Sequence, residues 1–434
     1  MCGKQQFQNL LAISLATVLA LGLTVVFTQS ASGQTFKLIY TFTGGNNGAN
    51  PETGLTLDNA GNLYGTTAAG DGNCYPGCGT VFGLIKQGSE WNYSSLYSFH
   101  GRDGYEPSSR VVIRAGGVLY GSTGGGGIAG HGNIYTLKPP GTLPSGTKPR
   151  YWTETVLYEF TGGGEVPSGD LVFDNSGNIY GTTQGYGVYA PSGSVYELTQ
   201  SGGGWAENTL YPFTGGTDGG FPVGGIVFDK AGNHLYGTTV LGGDQSCNVD
   251  GGYGYGCGTV FRLTHSQSGW TEDVLKAFQI PTALSTGIYP YAGLIMDESG
   301  NLYGTAALGG SGGGGVVFQL TPSNGGWTYT VLHNFTSAEG WFPNSPVLLD
   351  ATGNLYGTLF SGGPGGAGAV FKLTPGASGW TYKSLHDFTE GSDGGYPEDG
   401  PIFDANGNLY GTAYLGGSFE NCYSGCGVVW EITP

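Results

Sequence analysis

Positive charge is scarce in this chain. Lys and Arg number 14 of 434 residues against 31 Asp and Glu, a net charge of −17, and charged residues of both signs make up only 10%. So acidic a surface repels phosphate backbones, which argues against a nucleic-acid partner. Long apolar runs are missing after Phe27, so no later stretch is expected to span a membrane as a helix. Helical periodicity is absent beyond residue 33, and with it any helix-based motif. No Gly-Lys-Ser/Thr phosphate loop and no His-Glu-x-x-His zinc helix occurs. Gly309-Gly310-Ser311-Gly312-Gly313 fits Gly-x-Ser-x-Gly in form, but it lies in a glycine tract without the strand-to-helix elbow that would present the serine. The 88 glycines follow no three-residue period, which excludes collagen, and 13% aromatics is too much buriable surface for a disordered coil.

The N-terminus carries one charge, Lys4, then an apolar run from Leu10 to Phe27 and the small residues Ala31-Ser32-Gly33. This pattern reads as a secretory signal over residues 1–33, cleaved before Gln34 and leaving no stable membrane insertion, with retention as an anchor as the alternative. Export to the periplasm, cell surface or medium follows. Of seven cysteines, Cys2 leaves with the signal. The other six fall close together in sequence as Cys74/Cys78, Cys247/Cys257 and Cys422/Cys426, which in an exported chain reads as three disulfides. A zinc site is the alternative, but the pairs sit far apart and lack histidines at ligand spacing.

What the chain has in abundance is repetition. Gly61-Asn62-Leu63-Tyr64-Gly65-Thr66 returns six times, with its tyrosine at 64, 120, 180, 236, 303, 356 and 410. His234 is an insertion in the fourth copy. Spacing of this kind marks a repeat architecture. In the third unit, residues 169–174 read as a short strand ended by an Asp-x-x-Gly turn, and Ile179 begins a second strand. Residues 194–198 read as a third strand, and Trp205 to Phe213 as a fourth with period-two alternation. Four short antiparallel strands repeated seven times predict an all-β, seven-bladed β-propeller over residues 34–434 as a single domain. The glycine of Tyr-Gly-Thr is expected where adjacent sheets approach each other near the axis. The fourth-strand tryptophan occurs only six times, at 91, 152, 205, 270, 327 and 380, and the chain ends on a third strand. Phe36 to Phe42 has fourth-strand character, so the N-terminal strand is predicted to complete the last blade and remove the free edge. A monomer is expected.

Asp-x-x-Gly-Asn-Leu-Tyr-Gly-Thr, Gly-Thr-Val-Phe (Gly79 to Phe82, Gly258 to Phe261) and the Trp…Phe strand recur in order over residues 35–434. In these motifs the chain resembles the GloVer (Gloeo/Verruco) tandem-repeat family, secreted bacterial β-propeller-like proteins whose members often carry C-terminal anchors. This chain departs in ending on its last strand. The resemblance implies fold and export and brings no catalytic residues with it.

Turns on one face of the disc are short and uniform, opened by Asp58, Asp174, Asp229, Asp297, Asp350 and Asp404. Each aspartate is expected to cap its own turn. Calcium held by these carboxylates is the bolder alternative, and no other cofactor is expected. The opposite face holds the long loops and all three cysteine pairs, and binding usually resides on such loops. There Phe221, Tyr289, Phe342 and Tyr396 precede prolines, with Trp341 and Tyr105 nearby. They read either as wedges between blades or as rings that stack on sugars.

The residue three after each proline is Gly54, Gly225, Gly293 or Gly400 in four blades and Arg110, Asp170 or Pro346 in the others. Arg110 and Asp170 belong to adjacent blades and are expected to pair at the channel mouth. His100, Arg102, Asp103 and Glu106 lie close in sequence, Arg114 replaces a turn aspartate, and Glu52, Glu398 and Asp399 are expected to add negative charge on the far side of the mouth. The candidate ligand site is therefore Arg110, Asp170, Arg102, Asp103, Glu398 and Asp399, with Trp341 and Tyr396. It would serve a binding module for an extracellular glycan or protein. The alternatives are a polysaccharide-active enzyme using acids among Asp170, Asp393, Glu398 and Asp399, and a passive envelope or matrix protein. Asp103, Asp218 and Asp393 also recur in the loops that join blades.

Overall fold

A computed structural model describes residues 34–70, 74, 77–141, 151–162, 166–185, 192–247, 255–279 and 286–434. The signal expected over residues 1–33 lies outside them. The compact unit Phe36–Thr433 is a seven-bladed propeller of antiparallel sheets, with two short 3-10 turns as the only helical elements among the described residues. The first blade runs outward through Thr56–Leu57, Leu63–Thr67, Thr80–Gln87 and Glu90–Ser98. The seventh orders Ile402–Phe403, Leu409–Ala413, Val428–Thr433 and, outermost, the N-terminal strand Thr35–Thr41. The ring closes as the sequence predicts.

A single aromatic device recurs at the blade interfaces, and it corrects one expectation. The glycine of Tyr-Gly-Thr does not make room for the adjacent sheet. It faces an aromatic residue across its own blade, Gly65 opposite Phe82 and Gly411 opposite Trp430. A Cβ at Gly65 would stand 2.6 Å from the Phe82 ring. The covered ring then meets the last aromatic of the preceding blade edge-on. Phe99 meets Tyr135 at 5.0 Å, Phe160 meets Tyr196 at 5.2 Å and Phe213 meets Phe261 at 5.0 Å. At the closing interface Phe42 takes that role against Phe82 at 5.2 Å. Each such pair contributes about 0.5–1.5 kcal/mol beyond the apolar area it buries. Phe36 also stacks on His386 at 3.6 Å, and His333 on Tyr382 at 5.5 Å, so both histidines act as packing residues.

Proline supplies a second stitch. Pro107 of the second blade packs on Gly79 of the first, where a Cβ would come within 2.6 Å of its ring. The residue before the proline takes a left-handed conformation in six blades, with φ between 51° and 59° at Asn50, Glu106, Phe221, Tyr289, Phe342 and Tyr396. Such a conformation is costly for a non-glycine residue. Hydrogen bonds to two blades hold it: the Phe221 N–H donates to the Ser192 carbonyl, and the Phe221 carbonyl accepts from Val240. The aromatic–proline pairs are therefore wedges between blades.

The turn aspartates cap their turns. Asp58 Oδ1 accepts from the N–H groups of Ala60 and Asn62, while Oδ2 accepts from the Asn62 amide and the Tyr64 hydroxyl. Asp174, Asp297, Asp350 and Asp404 repeat the pattern. Cys74–Cys78, Cys247–Cys257 and Cys422–Cys426 form the three expected disulfides. They fit an oxidising environment outside the cytosol. No helix among the described residues is long and apolar enough to cross a membrane.

Candidate functional site: the channel mouth on the loop face

The three residues after each inter-blade proline build the mouth. The first of them forms an upper ring that includes Glu52, Ser108, Ser168, Tyr291, Asn344 and Glu398. The third forms a lower ring of Gly54, Arg110, Asp170, Gly225, Gly293, Pro346 and Gly400. Together they enclose a polar cavity of about 140 Å³. Below the lower ring the axis is lined by aliphatic side chains such as Val112, Val172, Val227, Ile295 and Leu348, around a further cavity of about 490 Å³. Most blades begin with a two-residue inner strand, but the third begins with the eight-residue strand Val166–Phe173, interrupted at Gly169 with φ of 68°. A side chain there would meet the Gly224–Gly225 backbone of the next blade, so glycine is required for Asp170 to reach the axis.

Arg110 ties four blades together. Its Nη2 donates to Asp399 Oδ1 at 3.0 Å, and its Nε lies 3.7 Å from Asp170 Oδ2. The Arg110 backbone N–H donates to Asp170 Oδ1 at 2.9 Å. Asp399 also accepts from the backbone N–H groups of Gly54 at 2.5 Å and Gly400 at 2.6 Å. The guanidinium passes directly over Gly54, where a Cβ would stand 2.5 Å from Nη2. The expected Arg110–Asp170 pair therefore forms, but Asp399 is the nearer partner and lies beside Arg110 rather than across the mouth. Burial works against the Arg110 charge, yet Asp399 and Asp170 outweigh it and raise its pKa further. Burial also raises the Asp170 carboxyl, against the pull of Arg110.

Every blade reuses the same glycine, aromatic and proline positions, and the Gloeobacter/Verrucomicrobia repeat model matches residues 18–250 and 247–434. The chain belongs to that family. No curated protein matches it in sequence. Among solved structures it is similar to a proposed oxidoreductase (glucose dehydrogenase) from Thermus thermophilus, at 14% identity and TM-score 0.42 over 92% of this chain and 100% of that one. It is also similar to PorZ, a surface component of the type-IX secretion system of Porphyromonas gingivalis, at 12% identity and TM-score 0.47 over 87% of this chain and 46% of that one. A protein of unknown function from Dyadobacter fermentans aligns at 11% identity and TM-score 0.41 over 92% and 98% of the two chains.

The mouth of this Gloeobacter/Verrucomicrobia repeat protein is electrostatically lopsided. Blades one, two, three and seven supply Glu52, Arg110, Asp170, Glu398 and Asp399, whereas blades four to six supply Val223, Tyr291 and Asn344. Burial, with Glu106 adding, pushes Glu52 up to about 7. Burial, then Glu52 and Asp399, pushes Glu398 up to about 8. Burial, then Glu52, Glu398 and Glu106, raise Tyr414. Among the described residues no group of three or more His, Cys, Asp or Glu side chains is arranged to hold a metal ion.

The predicted residues divide in two. Arg110, Asp170, Glu398 and Asp399 meet at the mouth. Arg102 sits on the exposed tip of the turn between Gly101 and Gly104. Asp103 closes its own loop, accepting from the His100 N–H at 2.7 Å and the Tyr97 hydroxyl at 2.6 Å. Asp218 and Asp393 do the same in their blades. Tyr396 packs against Phe360 and donates to Glu390. Trp341 is 44% exposed and pairs in backbone with Ser361, away from the mouth. Arg114 lies over the Phe173 ring of the next blade at 4.4 Å. Tyr291, 40% exposed on the neutral wall, is missing from the sequence-based set. Aligning the first residue after each proline, as well as the third, would have found it.

Proposed function

We propose that this is a secreted binding module whose loop-face mouth takes a positively charged group presented by an extracellular protein or glycan. The observation that carries this reading is that Arg110 is already matched by Asp399 and Asp170, which leaves Glu52 and Glu398 without a hydrogen bond among the described residues. Once Glu52 and Glu398 ionise, as pH rises through about 7–8, such a mouth repels anions and offers an entering cation partly desolvated carboxylates with Tyr291 on the opposite wall, a ring suited to a cation or an alkyl stem. The cavity admits one side chain or one amino sugar, not a polymer. The three disulfides and the sequence pattern of residues 1–33 support export.

The test is titration of residues 34–434 with a panel of basic peptides and amino-sugar oligosaccharides, against the Glu52→Gln/Glu398→Gln variant. Binding that weakens at least tenfold in the folded variant is the expected result; equal binding by both, or none by the wild type, refutes the reading. Glycoside cleavage is favoured by one observation. A carboxyl raised to about 8 at Glu398 beside Asp399 resembles the acid and partner carboxylate of a glycosidase. Release of reducing ends, abolished by Glu398→Gln, would establish it.

A further inference from the structure

The opposite, short-turn face carries a second departure from sevenfold symmetry, which the mouth does not use. Residue 234 is inserted into the turn of the fourth blade. There the Asp229 N–H donates to the His234 carbonyl, five residues on, where Asp58 of the first blade reaches Asn62, four on. His234 Nδ1 pairs with Asp229 Oδ2 at 2.7 Å, taking the place of the usual asparagine amide. The Asn233 carbonyl now accepts from the His265 N–H at 3.1 Å. The enlarged turn, Lys230 to Gly232, stands opposite the turn Asp174 to Ser176 of the third blade, and a cavity of about 510 Å³ opens between them.

Its chemistry is divided between floor and rim. Phe173, Tyr180, Phe228 and Trp270 line it with ring surface, Tyr180 edge-on to Phe228 at 5.0 Å. Trp270 lies half-buried beside the exposed His265, ring centres 4.8 Å apart. Polar groups crown the rings: Glu197 accepts from the Tyr180 hydroxyl at 2.6 Å, and Asn175, Ser176 and Asp229 stand at the edge. Lys230 is engaged by Glu298 of the fifth blade, so three carboxylates, Asp174, Glu197 and Asp229, set the local charge. An anionic ligand is disfavoured. A wholly apolar ligand would leave the rim groups without partners. A flat apolar face with hydroxyls around its edge suits both.

We propose that this groove between the third and fourth blades is a separate binding site for one neutral sugar unit of a glycan, stacked on Trp270 with its hydroxyls directed at Glu197 and the two turns. The site is independent of the mouth.

A glycan array of neutral oligosaccharides identifies the sugar, and titration calorimetry with residues 34–434 measures it. The expected result is saturable binding that weakens at least tenfold in Trp270→Ala and in a variant with His234 deleted, each folded by circular dichroism. His265→Ala, an exposed substitution, serves where Trp270→Ala fails to fold and is expected to weaken binding several-fold. A saturating basic peptide at the mouth leaves the sugar affinity unchanged. Absence of binding across the neutral panel overturns the proposal, as does unaltered affinity in the folded variants. Competition by the basic peptide would assign any sugar binding to the mouth instead.

Discussion

Replacing Arg110 by methionine removes the cation at the centre of the mouth while keeping much of its volume. Two close carboxylate contacts are lost, one at 3.0 Å and one at 3.7 Å. At the effective dielectric of a protein surface the two attractions are about 5.5 and about 4.5 kcal/mol gross, most of it offset by desolvation of the charges. Removing one member of a fully buried pair costs about 3–5 kcal/mol. The Arg110 side chain is 21% exposed and that of Asp170 39%, so water shares the burden and the expected loss is about 2–3 kcal/mol at pH 8. The loss has a definite pH dependence. Burial already raises the Asp170 carboxyl, and without the Arg110 charge that rise is less opposed, so the penalty shrinks as pH falls and is expected to be smaller at pH 5 than at pH 8. Urea denaturation of wild type, Arg110→Met, Asp399→Asn and the double variant at both pH values measures it. The cycle should return a coupling of at least about 1 kcal/mol at pH 8. A coupling near zero, or a loss independent of pH, would refute the claim that the mouth is electrostatically sprung around Arg110.

Phe42 is wholly buried against Phe82, Tyr40 and Tyr93, so Phe42→Ala should cost about 3–5 kcal/mol by denaturant unfolding. A cost under about 1 kcal/mol would mean that the N-terminal strand does not close the ring. Glu52 and Glu398 titrate higher in the folded chain than unfolded, so the native state binds more protons between pH 4.5 and about 8. Their contribution is therefore full below about pH 4.5 and lost as pH rises through about 7–8. Urea midpoints should fall over that range and flatten in Glu52→Gln/Glu398→Gln, while affinity for basic peptides should rise over the same interval. Reducing the disulfides, which close short loops, should remove about 2 kcal/mol apiece and raise proteolysis at residues 70–79, 247–257 and 418–427, with the β-sheet circular dichroism retained. Global unfolding under mild reduction would contradict this.

The number of blades, the strand order and the closure by Phe36–Phe42 were legible in the sequence because they are local patterns repeated at known spacing. Six Tyr-Gly-Thr elements and one Tyr-Gly-Ser, six tryptophan strands and one orphan strand at the start admit a single closed arrangement. The turn aspartates were equally readable, since each is satisfied within six residues of itself. The reason for the Tyr-Gly-Thr glycine was not. Its partner, Phe82 for Gly65, stands opposite only after the hairpin forms, and the ring that meets Phe82 comes from the strand that closes the seventh blade. The mouth divides along the same line. Position three after the proline singled out Arg110 and Asp170, but sequence neighbourhood misplaced Arg102 and Asp103, which fold back into their own turn. Asp399 reaches Arg110 because two inner segments 289 residues apart converge on one axis, with a glycine at position 54 leaving the path clear. The repeat thus determined the disc by itself. Which charges meet at its centre was decided by ring closure, since distance across an axis has no counterpart in distance along a chain.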